Sequence, residues 1–145
     1  MHIMFSGTSR GCTDYLKEQA IEGLRRAMRK NHTIIVGDNK YGIDRVIVDE
    51  LNATNYHRAF CYGVADEPRN GGIVNDWLTL ESSYVQVETP NITVPRYRYA
   101  HRDRVMCDNA DMGVFIWDGK SKGTKRAYDY METIKPDNVY LIMET

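Results

Sequence analysis

Nine consecutive residues, Trp117-Asp118-Gly119-Lys120-Ser121-Lys122-Gly123-Thr124-Lys125, gather glycines, hydroxyls and cations in one turn. Gly119 and Gly123 let the backbone approach a ligand, Ser121 and Thr124 offer hydroxyls, and Lys120, Lys122 and Lys125 offer charge. The turn follows Met112-Gly113-Val114-Phe115-Ile116, which reads as a buried strand, and precedes a stretch of helical period. A helix opened this way points free first-turn amides and the positive end of its dipole at an anion. The plain alternative is a charged surface turn. The turn is not a Walker A loop, because Gly123 is followed by Thr124 and only then by Lys125.

Three other segments carry similar chemistry. Ser6-Gly7-Thr8-Ser9-Arg10-Gly11 lacks the Gly-x-Gly-x-x-Gly dinucleotide fingerprint, yet its small hydroxyl residues suit a phosphate or a ribose. Gly37-Asp38-Asn39-Lys40-Tyr41-Gly42-Ile43-Asp44-Arg45 is a second Gly-rich turn opening a helix, or equally an ordinary β-turn with an N-cap. There Asp44 either stabilises the positive helix end or accepts hydrogen bonds from a ligand. In Arg96-Tyr97-Arg98-Tyr99-Ala100-His101-Arg102-Asp103-Arg104, Arg98 and Arg102 stand four apart, so one helical face can present both to a phosphate if the helix begins early enough. Tyr97 and Tyr99 either stack on a base or lie half-buried beside solvent-facing arginines. His101 has no partner at a ligand spacing, so no metal is expected.

These loops need strands and helices to hold them. Ile3–Phe5, Thr33–Val36, His57–Tyr62, Gly113–Ile116 and Val139–Ile142 read as strands. Between them, Thr13 caps a helix whose apolar positions are Leu16, Ala20, Leu24, Ala27 and Met28, and Ile43–Leu51, Tyr99–Asn109 and Gly123–Thr133 follow as helices. The alternation predicts one α/β domain over residues 1–145, a Rossmann-like three-layer fold with a mostly parallel five-stranded sheet covered on both faces. Ligands of such sheets sit beyond the strand C-termini, where the strand order reverses. Residues 64–95 break the rhythm and read as an insertion: a lid, a subunit contact or a plain surface excursion. Within it, Tyr84–Val87 and Ile92–Val94 around Pro90-Asn91 have the makings of a hairpin.

The 145 residues suit a single domain with its own core, and 42% hydrophobic with 27% charged residues is a globular balance. A formal net charge of -1 argues against indiscriminate nucleic-acid or membrane binding. Residues 96–126 nevertheless hold eight Lys/Arg against four Asp, so a local anion site is compatible with the acidic remainder. Three widely spaced cysteines make neither a disulfide framework nor a zinc signature. With no signal-peptide pattern at Met1–Gly7 and no apolar run of spanning length, the expected location is a reducing cytoplasm.

Taken together, the motifs resemble the SLOG superfamily, the Rossmann-like group of the DprA/SMF proteins and the LOG phosphoribohydrolases. They are most similar to its small YspA-like branch. Members run Gly-Ser-Arg after strand one, Gly-x-x-Gly-x-Asp after strand two and Trp-Asp-Gly-Lys-Ser-Lys-Gly-Thr after strand four. Here these are Gly7-Thr8-Ser9-Arg10 with one extra residue, Gly37 to Asp44 in altered form, and Trp117 to Thr124 intact. The resemblance implies a nucleotide or nucleotide-derived ligand at the strand ends. LOG enzymes cleave an N-glycosidic bond with an Arg before a helical Met and a Glu three residues after their Gly-Thr. Arg102 fills the Arg position ahead of Met106 and Asp111 the family's Asp position, but the Glu position is Ala127.

The first expectation is therefore a homo-oligomeric binding module whose contacts are Gly7, Thr8, Ser9, Arg10, Gly37, Asp38, Gly42, Asp44, Arg98, Trp117, Gly119, Lys120, Ser121, Gly123 and Thr124. The second is an N-glycosidic hydrolase or deoxyribosyltransferase-like enzyme with Asp118 as carboxylate and Arg102 as charge clamp. The third is single-stranded DNA binding, with Tyr97, Tyr99 and Trp117 as stacking platforms. No cofactor and no membrane partner are expected.

Overall fold

The computed structural model describes residues 1–144. Its strands are β1 (His2–Gly7), β2 (Thr33–Gly37), β3 (Ala59–Gly63), β4 (Tyr84–Gln86), β5 (Met112–Trp117) and β6 (Val139–Met143). They form one sheet in the order β4-β3-β2-β1-β5-β6, with every neighbouring pair parallel. The helices are α1 (Asp14–Arg29), α2 (Ile43–Ala53), the single turn α3 (Leu80–Ser83), α4 (Pro95–Asn109) and α5 (Lys122–Ile134).

Strand alternation sorts the core into two layers. Ile3 and Phe5 of β1, Ile34 and Val36 of β2 and Ile116 of β5 pack with Leu16, Ala20, Leu24, Ile43, Ile47 and Leu51 of α1 and α2. The intervening Met4, Ile35 and Phe115 face the other way, onto Met106 and Cys107 of α4 and Ala127 and Met131 of α5. β2 is buried along its whole length, as expected of a central parallel strand whose sequence is Thr-Ile-Ile-Val-Gly. The three-layer α/β fold is thus present, but with six strands where the sequence suggested five.

The sixth strand comes from within the 64–95 segment. Tyr84–Gln86 pairs parallel to β3 (Cys61↔Tyr84, Tyr62↔Val85, Gly63↔Gln86), and the Val87 amide extends the ladder to the Gly63 carbonyl at 2.8 Å. The expected hairpin does not form. Ile92–Val94 joins no strand and leads directly into α4, which starts at Pro95 rather than near Tyr99. Proline is well placed at a first helical position, since its missing N–H has no intrahelical partner there. The rest of the segment is stitched to the end of α2: Asn52 donates to the Gly72 carbonyl at 3.2 Å, Asn75 donates to the Tyr56 carbonyl at 3.0 Å, and Ile73 is buried.

Candidate functional site

The strand order turns back on itself between β1 and β5: β2, β3 and β4 lie on one side of β1, and β5 and β6 on the other. A small cleft opens at the C-terminal ends there, lined by Ser6, Gly7 and Ser9 after β1, Asn39 and Asp44 after β2, Arg102 and Asp103 of α4, and Ser121, Gly123 and Thr124 around the start of α5. The cavity proper is only about 80 Å³, and about 380 Å³ when the open solvent at its mouth is included, so a small molecule bound here would extend beyond the cavity.

Two glycines bring the first two loops together. A Cβ at Gly42 would lie 2.1 Å from the Thr8 carbonyl oxygen, and the residue has φ +76°, a left-handed conformation that favours glycine. A Cβ at Gly7 would meet the Ile116 carbonyl oxygen and Ile43 Cγ1, both at 2.6 Å. Thr8 then acts as a clasp. Its carbonyl accepts from the Ile43 amide at 3.0 Å, its amide donates to the Ile116 carbonyl at 3.0 Å, and its hydroxyl accepts from the Asp118 amide at 2.9 Å. Thr8 is fully buried in this role and does not line the cleft.

The turn after β5 divides its tasks differently from the sequence expectation. Asp118 Oδ1 accepts from the Lys120 and Ser121 amides, both at 2.8 Å. Burial pushes the Asp118 carboxyl up, but those two amide hydrogen bonds bring it below its ordinary value. The carboxylate thus occupies amides counted as anion donors, and Asp118 is not among the residues lining the cleft. Trp117 donates its indole N–H to the Ser121 carbonyl at 2.9 Å, which fixes the turn from beneath. Gly119 (φ +81°) lets the chain reverse, and the Lys120 side chain is at the surface.

Beyond Ser121 the site is open. Ser121 is the N-cap of α5, yet its side chain makes no capping hydrogen bond, so the first amides of the helix face the cleft without a cap. A Cβ at Gly123 would meet nothing within 4 Å. Thr124 is 6% exposed, and its hydroxyl has no partner among the described residues.

The opposite wall is ionic. Asp44 is 5% exposed, and its Oδ2 accepts from the Asn39 amide at 3.1 Å. Burial raises its pKa to about 6 against the Arg102 charge and the Asn39 hydrogen bond, which pull it down. Arg102 is buried and donates to Asp38 Oδ1 at 2.6 Å and to Asp103 Oδ1 at 2.8 and 3.2 Å. Burial works against the guanidinium charge, and Asp103, Asp44 and Asp38 more than restore it, holding the pKa above its ordinary value. Gly37 leaves room for the meeting, because a Cβ there would lie 2.6 Å from Asp44 Oδ2 and 3.1 Å from Arg102 Cζ.

Asp38 is spent inside this network. Wholly buried, it accepts from Arg102 and also from the Arg69 amide at 3.0 Å and the Arg69 guanidinium at 2.9 and 3.2 Å, so it offers nothing to the cleft. Arg69 in turn lies 3.7 Å from the ring centre of Tyr99. Arg98 does not share the site with Arg102; it turns away and donates to the Ile92 carbonyl at 2.5 Å. Arg10 is exposed and outside the cleft.

Of the residues expected at the site, Gly7, Ser9, Asp44, Arg102, Ser121, Gly123 and Thr124 come together, while Gly37, Gly42, Thr8, Asp38, Trp117 and Gly119 shape it from behind. Ser6, Asn39, Asp103 and Arg69 were missed. The first three lie within or beside the motifs already singled out, but Arg69 carries no signal of its own, since its partner Asp38 is 31 residues away. Ala127 is buried in the core beside Cys107, so α5 presents no carboxylate from the family's Glu position. Among the described residues no three His, Cys, Asp or Glu side chains form a metal-holding group, and no helix is long and apolar enough to cross a membrane.

No protein-family model and no curated protein matches this sequence. Solved structures do match its fold. DNA processing protein A from Helicobacter pylori, described for its single-stranded DNA binding mode, is similar with a TM-score of 0.73 at 13% identity, over 100% of this chain and 66% of that one. This chain therefore spans just under two thirds of that neighbour's length. The molybdenum cofactor binding protein from the phototrophic bacterium Rippkaea orientalis has a TM-score of 0.67 at 11% identity, covering 99% of this chain and 77% of its own. The Moco carrier protein from Chlamydomonas reinhardtii has a TM-score of 0.51 at 11% identity, covering 97% and 87%. At such identities the likeness shows the fold alone, a Rossmann-like three-layer α/β domain with a parallel sheet.

Proposed function

We propose that this protein binds a nucleotide or nucleotide-derived ligand in the cleft between the β1, β2 and β5 ends, its phosphate resting on the start of α5. The observation that carries this reading is the uncapped helix start at Ser121, joined by a nearly buried Thr124 hydroxyl without a partner and by Gly123 beside open space. Gly7, Gly37 and Gly42 are small because protein atoms crowd them, and Gly119 because its φ of +81° favours glycine. Gly123 is not crowded, so its missing side chain makes room for something else. The resemblance to the YspA-like branch, carried by Trp117–Thr124, supports this reading and is compatible with the Rossmann-like fold.

Calorimetry against a panel of nucleoside phosphates tests it. Binding is expected for at least one member and is expected to weaken tenfold or more in Gly123→Ala, whose methyl group enters the cleft. Absence of binding across the panel, or a Gly123→Ala protein that binds like the wild type, would remove the reading.

A second reading, cleavage of an N-glycosidic bond, is favoured by one observation: Asp44, with its pKa raised to about 6, lines the cleft where a general acid or base would work. Asp44 replaces Asp118 as the candidate carboxylate. Free base released from a nucleotide and lost in Asp44→Asn supports it; intact nucleotides after long incubation refute it. Single-stranded DNA binding, described for the Helicobacter pylori neighbour, ranks third, because Trp117 is tied down by its indole hydrogen bond and Arg98 by the Ile92 carbonyl.

A further inference from the structure

We infer that the Asp44 end of the cleft reads the sugar, so that the ligand is a ribonucleotide with free 2′- and 3′-hydroxyls rather than a deoxyribonucleotide or a DNA strand. The inference rests on the proposed nucleotide reading and names the class of nucleotide.

Its starting point is an unused acceptor. Asp44 is 5% exposed and lines the cleft, and of its two carboxyl oxygens only Oδ2 is engaged, by the Asn39 amide. Among the described residues, every side-chain oxygen or nitrogen wholly shut off from solvent has a hydrogen-bond partner. Oδ1 has none, so it opens into the cleft. An ionised carboxyl only accepts hydrogen bonds, so its partner must be a donor. A phosphate is disfavoured at this place, because Asp44 and the neighbouring Asp103 carboxylate repel it and three of the five Arg102 N–H donors are already taken by Asp38 and Asp103.

The other end has the opposite character. Around Gly123 and Thr124 the cleft offers uncapped amides and a hydroxyl, and the nearest carboxylate in that turn, Asp118, is held by the Lys120 and Ser121 amides. One small, open cleft therefore asks for an anion at one end and hydrogen-bond donors at the other. A 5′-phosphorylated ribose has both within a single sugar. A carboxylate can take two hydroxyls of a vicinal diol at once, and charge-assisted hydrogen bonds of this kind discriminate strongly. Within a DNA strand the sugar has no free hydroxyl to give.

The test is calorimetry of the wild-type protein with the four common ribonucleoside 5′-monophosphates, their 2′-deoxy and 2′,3′-dideoxy counterparts, and a deoxythymidine oligonucleotide. For the base that binds, loss of both hydroxyls is expected to weaken binding by roughly tenfold or more. In Asp44→Asn the ratio of ribo to dideoxy affinity should collapse toward one, while Gly123→Ala should weaken both forms alike and preserve the ratio. Dideoxynucleotides that bind as tightly as ribonucleotides overturn this inference and leave nucleotide binding standing, as would a donor on the base. An oligonucleotide that outcompetes every mononucleotide overturns it in favour of a nucleic-acid site. Silence from the whole series overturns the nucleotide reading, and the inference with it.

Discussion

Gly42 and Gly123 are small for opposite reasons, and stability measurements can tell them apart. Gly42 combines φ +76° with a virtual Cβ 2.1 Å from a backbone oxygen, so alanine there meets both strain and collision. Gly42→Ala is expected to destabilise the fold by about 2–4 kcal/mol in urea unfolding. Gly123 lies in the first turn of a helix beside open space, and alanine is the better helix former. Gly123→Ala should leave stability unchanged or raise it by up to about 1 kcal/mol, so lost ligand binding cannot be ascribed to unfolding. Asp44 makes a second prediction at this scale. Its folded pKa, about 6, lies above its unfolded value, so between pH 4 and 6 the native state holds a proton that the unfolded chain has released. Stability from this group is full below the unfolded value and is lost as pH rises through about 6. The difference approaches about 3 kcal/mol at most. Asp44→Asn, which needs no proton, should therefore gain on the wild type between pH 4 and pH 7.5. Parallel unfolding curves whose gap ignores pH would contradict the buried, proton-holding carboxyl.

Helices with an apolar stripe were legible: Leu16, Ala20, Leu24 and Ala27 recur at helical spacing and are the buried face of α1, with Thr13 at the cap as expected. α4 was less so, since one of its three buried positions is Arg102 and only Met106 and Cys107 are apolar. Periodicity cannot distinguish an inward arginine from an outward one, which is why Arg98 and Arg102 looked equivalent. β4 is three residues long and has no alternation to read; its strand character comes from the free edge of β3. The brace between these elements was equally hidden, because Asp38, Arg69 and Arg102 meet only through the fold. Asp38→Ala should destabilise the protein by about 3–5 kcal/mol, because Arg102 stays buried with one fewer anion and the 64–95 segment loses its hold on β2. Arg98→Ala removes one hydrogen bond to a carbonyl and should cost less than about 1.5 kcal/mol. Chemical unfolding of the two variants side by side decides whether the buried arginine is the structural one.

At the scale of the molecule, the position of the site was readable earlier than its composition. Alternating strands and helices imply a parallel sheet, an open parallel sheet covered by helices on both faces must reverse its strand order, and a ligand site is expected beyond the strand ends at that reversal. Which side chains enter the cleft depended on packing that no spacing records: Thr8 and Asp38 are consumed as clasps, and Asp118 binds its own loop. The cleft walls run from Ser6 to Thr124 in sequence, so a ligand seated there would touch the ends of several elements at once. A ligand that binds only this assembled arrangement stabilises it by RT ln(1 + [L]/Kd), about 2.7 kcal/mol at a hundredfold excess over Kd. For a chain of 145 residues this corresponds to a rise in Tm of roughly 10 °C. The rise should grow with the logarithm of concentration for the ribonucleotide that calorimetry identifies. Gly123→Ala, weakening binding tenfold or more, should cut it to about half or less at the same ligand concentration without lowering the unliganded Tm. Arg98→Ala, outside the cleft, should keep it in full. A shift that survives Gly123→Ala in full and disappears with Arg98→Ala would move the ligand away from the β1–β5 reversal and onto the outer end of α4.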